Sequence, residues 1–174
     1  MRIHPAAVML AAAVGLIGAE ALACSCFPLD PSRRGVIERI EASAAVFRGK
    51  VLAVAPLEDQ PFPRRLRITL RVAESWKGVT TTQIDLVTEA SSAACGLSAR
   101  VGSELLVFAY PLEDGAIGSI RYSVDSCNGT TGISDLQFRH REWLSYLAKQ
   151  PTLALTSDRA VTGSGAEEGA SSTP

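Results

Sequence analysis

Four cysteines, Cys24, Cys26, Cys95 and Cys127, constrain this chain more than any other feature, because two stand a single residue apart near its start and two lie far downstream. Whether they pair depends on the compartment, which the residues ahead of them indicate. Arg2 and His4 precede an apolar run over residues 6–19. That run falls short of the roughly 20 residues needed to span a bilayer, but it has the length of a signal-peptide core. Ala21-Leu22-Ala23 then supplies the small-x-small pattern of a cleavage site. Residues 1–23 therefore read as a signal peptide, and Cys24 becomes the first residue of a secreted or otherwise extracytoplasmic chain. No later segment is apolar enough to span a membrane.

In an oxidising compartment all four cysteines pair, and four allow three connectivities. Joining Cys24 to Cys26 closes a strained two-residue step and is disfavoured. Either remaining pairing closes long loops, worth about 4 kcal/mol each in the chain-entropy model. Such staples stabilise any small exported domain. Here they also do something chain closure does not require: they fix the first few residues and the α-amine.

With 47% hydrophobic and 20% charged residues the chain is globular. A net charge of -1 gives no electrostatic reason to expect nucleic acid or an anionic membrane surface as partner. Residues 31–43 carry Val36, Ile37 and Ile40 at helical spacing, with Asp30 placed as N-cap before Pro31. Period-two alternation marks strands over 45–54 and 66–72, and further strands fall at 83–88, 104–110 and, more weakly, 117–124. Between them lie a proline-rich loop at 56–64, a small-residue loop at 90–94 and a turn at Glu113-Asp114-Gly115. Ile133, Leu136, His140, Trp143, Leu144 and Leu147 form one helical stripe, with Ser134 and Gln137 in a capping-box pattern. The fold expected over residues 24–150 is mainly β: a five-stranded OB-fold-like barrel with flanking helices and a disulfide-stapled N-terminus. Residues 151–174 lose periodicity and end in Gly, Ser, Ala, Thr and Glu, the composition of a disordered tail.

Enzyme chemistry is not indicated. The sequence contains no Gly-rich phosphate loop, HExxH, GxSxG or CxxC. His140 lies in the apolar helical stripe, where a packed histidine is expected. Arg65, Arg67 and Arg71 read as the solvated face of a strand. Single-strand binding by a barrel needs stacking aromatics, and aromatics are only 6%. Asn128-Gly129-Thr130 matches a glycosylation sequon.

The segment Cys24-Ser25-Cys26-Phe27-Pro28 resembles the N-terminal Cys-x-Cys-x-Pro of the tissue inhibitors of metalloproteinases, within the wider netrin-like family. Val46-Phe47-Arg48-Gly49-Lys50-Val51, Trp76-Lys77-Gly78, Ala94-Cys95-Gly96, the strand from Leu105 to Ala109 and Ser126-Cys127 follow in the family's order. The resemblance extends to about Leu147. It implies pairs Cys24–Cys95 and Cys26–Cys127, an OB-type barrel, and inhibition of zinc proteases by a monomer without a cofactor.

On that resemblance the backbone amine and carbonyl of Cys24 are the ligands offered to a target protease's zinc, displacing its water. Ser25 enters the specificity pocket, Cys26, Phe27 and Pro28 follow the primed side of the cleft, and Ser92, Ala93 and Ala94 form an adjoining ridge. The family's third disulfide in this domain and its second, cysteine-rich domain have no counterpart here. A different class of function is a non-inhibitory netrin-like binding or structural module of the cell envelope. A third reading is a lipoprotein acylated on Cys24, although Ala21 stands where a lipobox prefers leucine.

Overall fold

The computed structural model describes residues 24–57, 64–112, 115–139 and 141–157. The expected signal peptide, residues 58–63 of the expected loop, residues 113–114 of the expected turn, His140 and the part of the expected tail beyond residue 157 lie outside them.

Six strands, β1 (Ala45–Pro56), β2 (Arg65–Lys77), β3 (Gln83–Glu89), β4 (Glu104–Pro111), β5 (Tyr122–Ser123) and β6 (Thr131–Gly132), form one sheet in the order β1-β2-β3-β5-β4-β6. Antiparallel pairing of β1 with β4 joins the first five into a closed, mainly β barrel. This is the expected fold class. β3 and β5 run parallel, while every other ladder is antiparallel.

Two neighbouring layers explain why β4 reads as continuous apolar sequence. Leu105, Val107 and Ala109 point into the barrel with Phe47, Val51, Ile68, Leu70 and Leu86. Leu106 and Phe108 point outward, under helices, with Val36, Val46, Leu136, Trp143 and Leu147. A strand with both faces covered loses its polar alternation. Bulges in β1 between Val46 and Phe47, Arg48 and Gly49, and Val51 and Ala53 supply the bend that closure requires.

Helix α1 (Arg33–Ala42) begins later than its sequence pattern suggests. Its N-cap is Ser32, whose hydroxyl accepts from the Gly35 N–H, and not Asp30. Asp30 instead accepts the Ser32 N–H at 2.8 Å, because its side chain can close an Asx turn across Pro31. That bond holds the Asp30 carboxyl below its ordinary pKa of 3.8. At the other end Lys77 donates to the Ile40 carbonyl at 2.8 Å, satisfying a last-turn acceptor. Gly78 follows at φ +75°, where a Cβ would collide with the Ala44 carbonyl. The Trp76-Lys77-Gly78 motif is thus the joint between helix and barrel.

The C-terminal helical stripe forms two segments, α2 (Ile133–Arg139) and α3 (Arg141–Leu147). Ser134 stands inside α2, not ahead of it as a capping box requires, because β6 ends at Gly132 and the helix starts at once. Trp143 is fully buried, meets Phe108 edge-on at 5.5 Å and donates Nε1–H to the Asp30 carbonyl.

Two further expectations need correction. The strand at 117–124 shrinks to β5, since Gly118 turns the chain (φ +59°) and Ile117 pairs back onto Ile120. The domain does not stop at residue 150. Leu153 N–H donates to the Ser75 carbonyl, Thr156 N–H to Thr80 and Thr82 N–H to Thr156, and Leu155 packs on the barrel core. These contacts run through the backbone, so side-chain periodicity does not announce them. Among the described residues no helix is long and apolar enough to cross a membrane.

Candidate functional site

Residues 24–31 form no regular structure and are placed by covalent bonds. Cys24 is joined to Cys95 and Cys26 to Cys127, across sequence separations of 71 and 101. The Cys24 nitrogen also donates to the Ala93 carbonyl at 3.1 Å. The start of the domain therefore lies against the loop between β3 and β4.

That loop is rigid by local means. Ser92–Ala94 form a 3-10 turn capped by Ser91, whose hydroxyl accepts from the Ala93 N–H. Cys95 adopts the left-handed conformation at φ 63°, costing about 1–2 kcal/mol for a residue with a Cβ. Three backbone bonds hold it there: Cys95 N–H to Ser92, Gly96 N–H to Ser91 and Ser126 N–H to the Cys95 carbonyl. Gly96 is obligatory, because a Cβ would run into the Glu89 carbonyl. The Leu97 N–H binds the Thr88 hydroxyl and returns the loop to the barrel.

The second anchor is built from residues that sequence reasoning did not assign. Asp125 Oδ1 accepts the N–H groups of Cys127 and Asn128 at 2.7 and 2.8 Å, a turn legible in hindsight from an Asp two residues before a cysteine. Asn128 is 2% exposed; its amide donates to the Phe108 carbonyl and its oxygen accepts from the Thr130 N–H. Thr130 bonds both backbone groups of Phe108. The sequon is therefore a buried latch onto β4, closed to a glycan in the folded protein.

These anchors bring all the candidate binding residues to one edge. Ser25, Cys26, Phe27 and Pro28 are exposed, Phe27 to 90%, and so are Ser92, Ala93 and Ala94 in the loop that Cys24 is joined to. Beside them Ser25, Phe27, Arg39, Tyr110 and Asp125 line a hollow of about 240 Å³. Among the described residues no hydrogen bond reaches the Cys24 carbonyl oxygen. Arg67 and Arg71 are exposed on β2, as a solvated strand face should be, while Arg65 at the start of the strand is half-buried. The Cys24 sulfur is joined to Cys95, so within this bridge it offers no free thiol.

No family model matches this chain, and no curated protein matches it in sequence.

Proposed function

We propose that the protein is exported, loses residues 1–23 and acts as an inhibitor of zinc metalloproteases. Cys24 is its metal-binding residue. The observation that carries this reading is the double tether of the N-terminus. One disulfide and the bond to Ala93 fix Cys24, and a second disulfide fixes Cys26 two residues on. A neutral α-amine has two N–H bonds and one lone pair. Giving one N–H to Ala93 orients the group while leaving the lone pair for a metal.

The amine and the carbonyl oxygen of one residue close a five-membered chelate. Such a chelate displaces the water that a catalytic zinc holds in its open position. The reference pKa of an α-amine is about 7.7–8.0, so a nearby cation makes the neutral form accessible at neutral pH. Pre-fixing the chelate removes much of the ordering cost of association. Ser25 then occupies the protease's specificity pocket, Phe27 and Pro28 follow the cleft, and Ser92–Ala94 extend the contact. Burying Phe27 contributes on the order of 2 kcal/mol.

The test is mature protein with one alanine added before Cys24, assayed against a panel of zinc metalloproteases. The extension turns the amine into an amide nitrogen, a poor ligand, and puts bulk where the metal's water sat. Loss of inhibition with fold and disulfides intact is expected. If the unextended protein inhibits none of the panel, or the extended one inhibits equally well, the exposed edge belongs to a non-inhibitory binding module.

A further inference from the structure

The two disulfides are packed against each other, and three of their four cross-bridge sulfur separations are close to those of a metal centre. Cys24 Sγ lies 3.5 Å from Cys127 Sγ and 4.0 Å from Cys26 Sγ, and Cys127 Sγ lies 3.8 Å from Cys95 Sγ. In a tetrahedral zinc–thiolate site with Zn–S of about 2.3 Å, the edge between sulfurs is about 3.8 Å. We propose that the reduced form of this chain binds one soft divalent cation of the zinc class through the thiolates of Cys24, Cys26, Cys95 and Cys127. The three edges already near 3.8 Å need little change, and Cys26, the exposed member, must turn toward Cys95 to complete the set. The two bonded pairs must separate, which side-chain rotation allows, since their Cα atoms are 5.0 Å apart in both bridges.

The surroundings suit thiolates. The Ser126 hydroxyl lies 3.9 Å from Cys26 Sγ and 4.0 Å from Cys24 Sγ, close enough to orient toward anionic sulfur. Cys24, Cys95 and Cys127 are half-buried, and their sulfurs lie within 4.8 Å of one another. Four thiolates select zinc-like ions over magnesium or calcium. The chemistry balances with a phosphine as reductant. Each disulfide takes two electrons and two protons, and the phosphine leaves as its oxide with the oxygen of one water. On binding the cation the four thiols release four protons to the buffer. The site exists only before the disulfides form or after they are reduced, and it does not depend on protease inhibition.

The experiment uses the mature chain, reduced with a phosphine under argon and titrated with Co²⁺ alone, then Zn²⁺. Expected are one Co²⁺ per chain, thiolate charge-transfer and tetrahedral ligand-field bands, and full displacement by one equivalent of Zn²⁺. Binding should be at least tenfold tighter than to the same reduced chain in guanidinium, and at least tenfold weaker in Cys26→Ser and Cys127→Ser. Should reduction unfold the protein, Zn²⁺ must restore its far-ultraviolet dichroism, because the site and the fold are coupled. Absent bands, no recovery of structure with metal, or equal affinity in guanidinium each overturn the proposal. No protease is present in this assay, so its failure leaves the inhibitor reading standing, and failure of inhibition leaves the metal site standing.

Discussion

Replacing Trp143 by alanine is the most informative single perturbation of this fold, because that side chain joins three parts of it. Its ring is fully buried between helix and barrel, meets Phe108 at 75° between ring planes, and sits against Gly129. Its Nε1–H reaches the Asp30 carbonyl, in the segment linking the stapled N-terminus to α1. Truncating a buried tryptophan costs about 3–5 kcal/mol, a range that contains the loss of an edge-to-face pair at about 0.5–1.5 kcal/mol. The lost indole bond adds about 1 kcal/mol. We expect about 5 kcal/mol in all, a fall in Tm of roughly 15–20 °C for a domain of this size. Trp143→Phe keeps a ring against Phe108 but loses the bond to Asp30, and should cost about 1–2 kcal/mol. The assay is equilibrium urea unfolding with both disulfides intact, comparing midpoints at constant slope. A double-mutant cycle with Phe108→Leu should return a coupling near 1 kcal/mol. A cost below 1 kcal/mol for Trp143→Ala, or no coupling, would refute the claim that α3 is part of the core.

Asn128→Ala strands the Thr130 N–H in a buried site and should lower stability by about 1–3 kcal/mol in the same urea assay, and mass spectrometry of the unsubstituted protein should find no glycan on Asn128. Ending the chain after Gln150 removes the bonds to Ser75, Thr80 and Thr82 and should cost about 1–3 kcal/mol by thermal melting, whereas deleting residues 162–174 should leave Tm unchanged. The Asp30 carboxyl is held below 3.8, so its contribution is fully present above that pH and is lost as the pH falls through the lowered value. Asp30→Asn should remove that contribution, lowering the neutral plateau while leaving the acid end unchanged and so flattening the profile between them, as urea midpoints from pH 2 to 7 will show. Gly96→Ala should destabilise the loop that carries Ala93, read as faster proteolysis at residues 91–95.

The strands were legible wherever one face meets the core, since Leu66, Ile68, Leu70 and Val72 alternate with polar neighbours, and β4 was legible as a run because both its faces are covered. The helix stripe through Leu136, Trp143 and Leu147 was equally plain. What escaped had no side-chain rhythm. β5 is two residues long and held by its neighbours. The strap around Leu153 and Thr156 bonds through backbone. Asn128 looked like a surface motif because a buried amide and an exposed one are the same letter. At the candidate site the cysteines and the Phe27 segment could be read, but Asp125 and Thr130 act by fixing backbone groups whose positions only the fold defines.

The long spans of the two disulfides set an order on maturation. A ribosome makes Cys24 and Cys26 first, yet their partners, 71 and 101 residues further on, arrive much later. Cys127 comes only after the barrel-closing β4 has been made, and the neighbouring Asn128 is bonded to that strand. The earliest residues of the domain thus wait for residues 95 and 127 before their bridges can close. A chain interrupted before residue 127 keeps an unfinished amino end, so the molecule carries its own check that synthesis ran past the barrel before its exposed edge is complete.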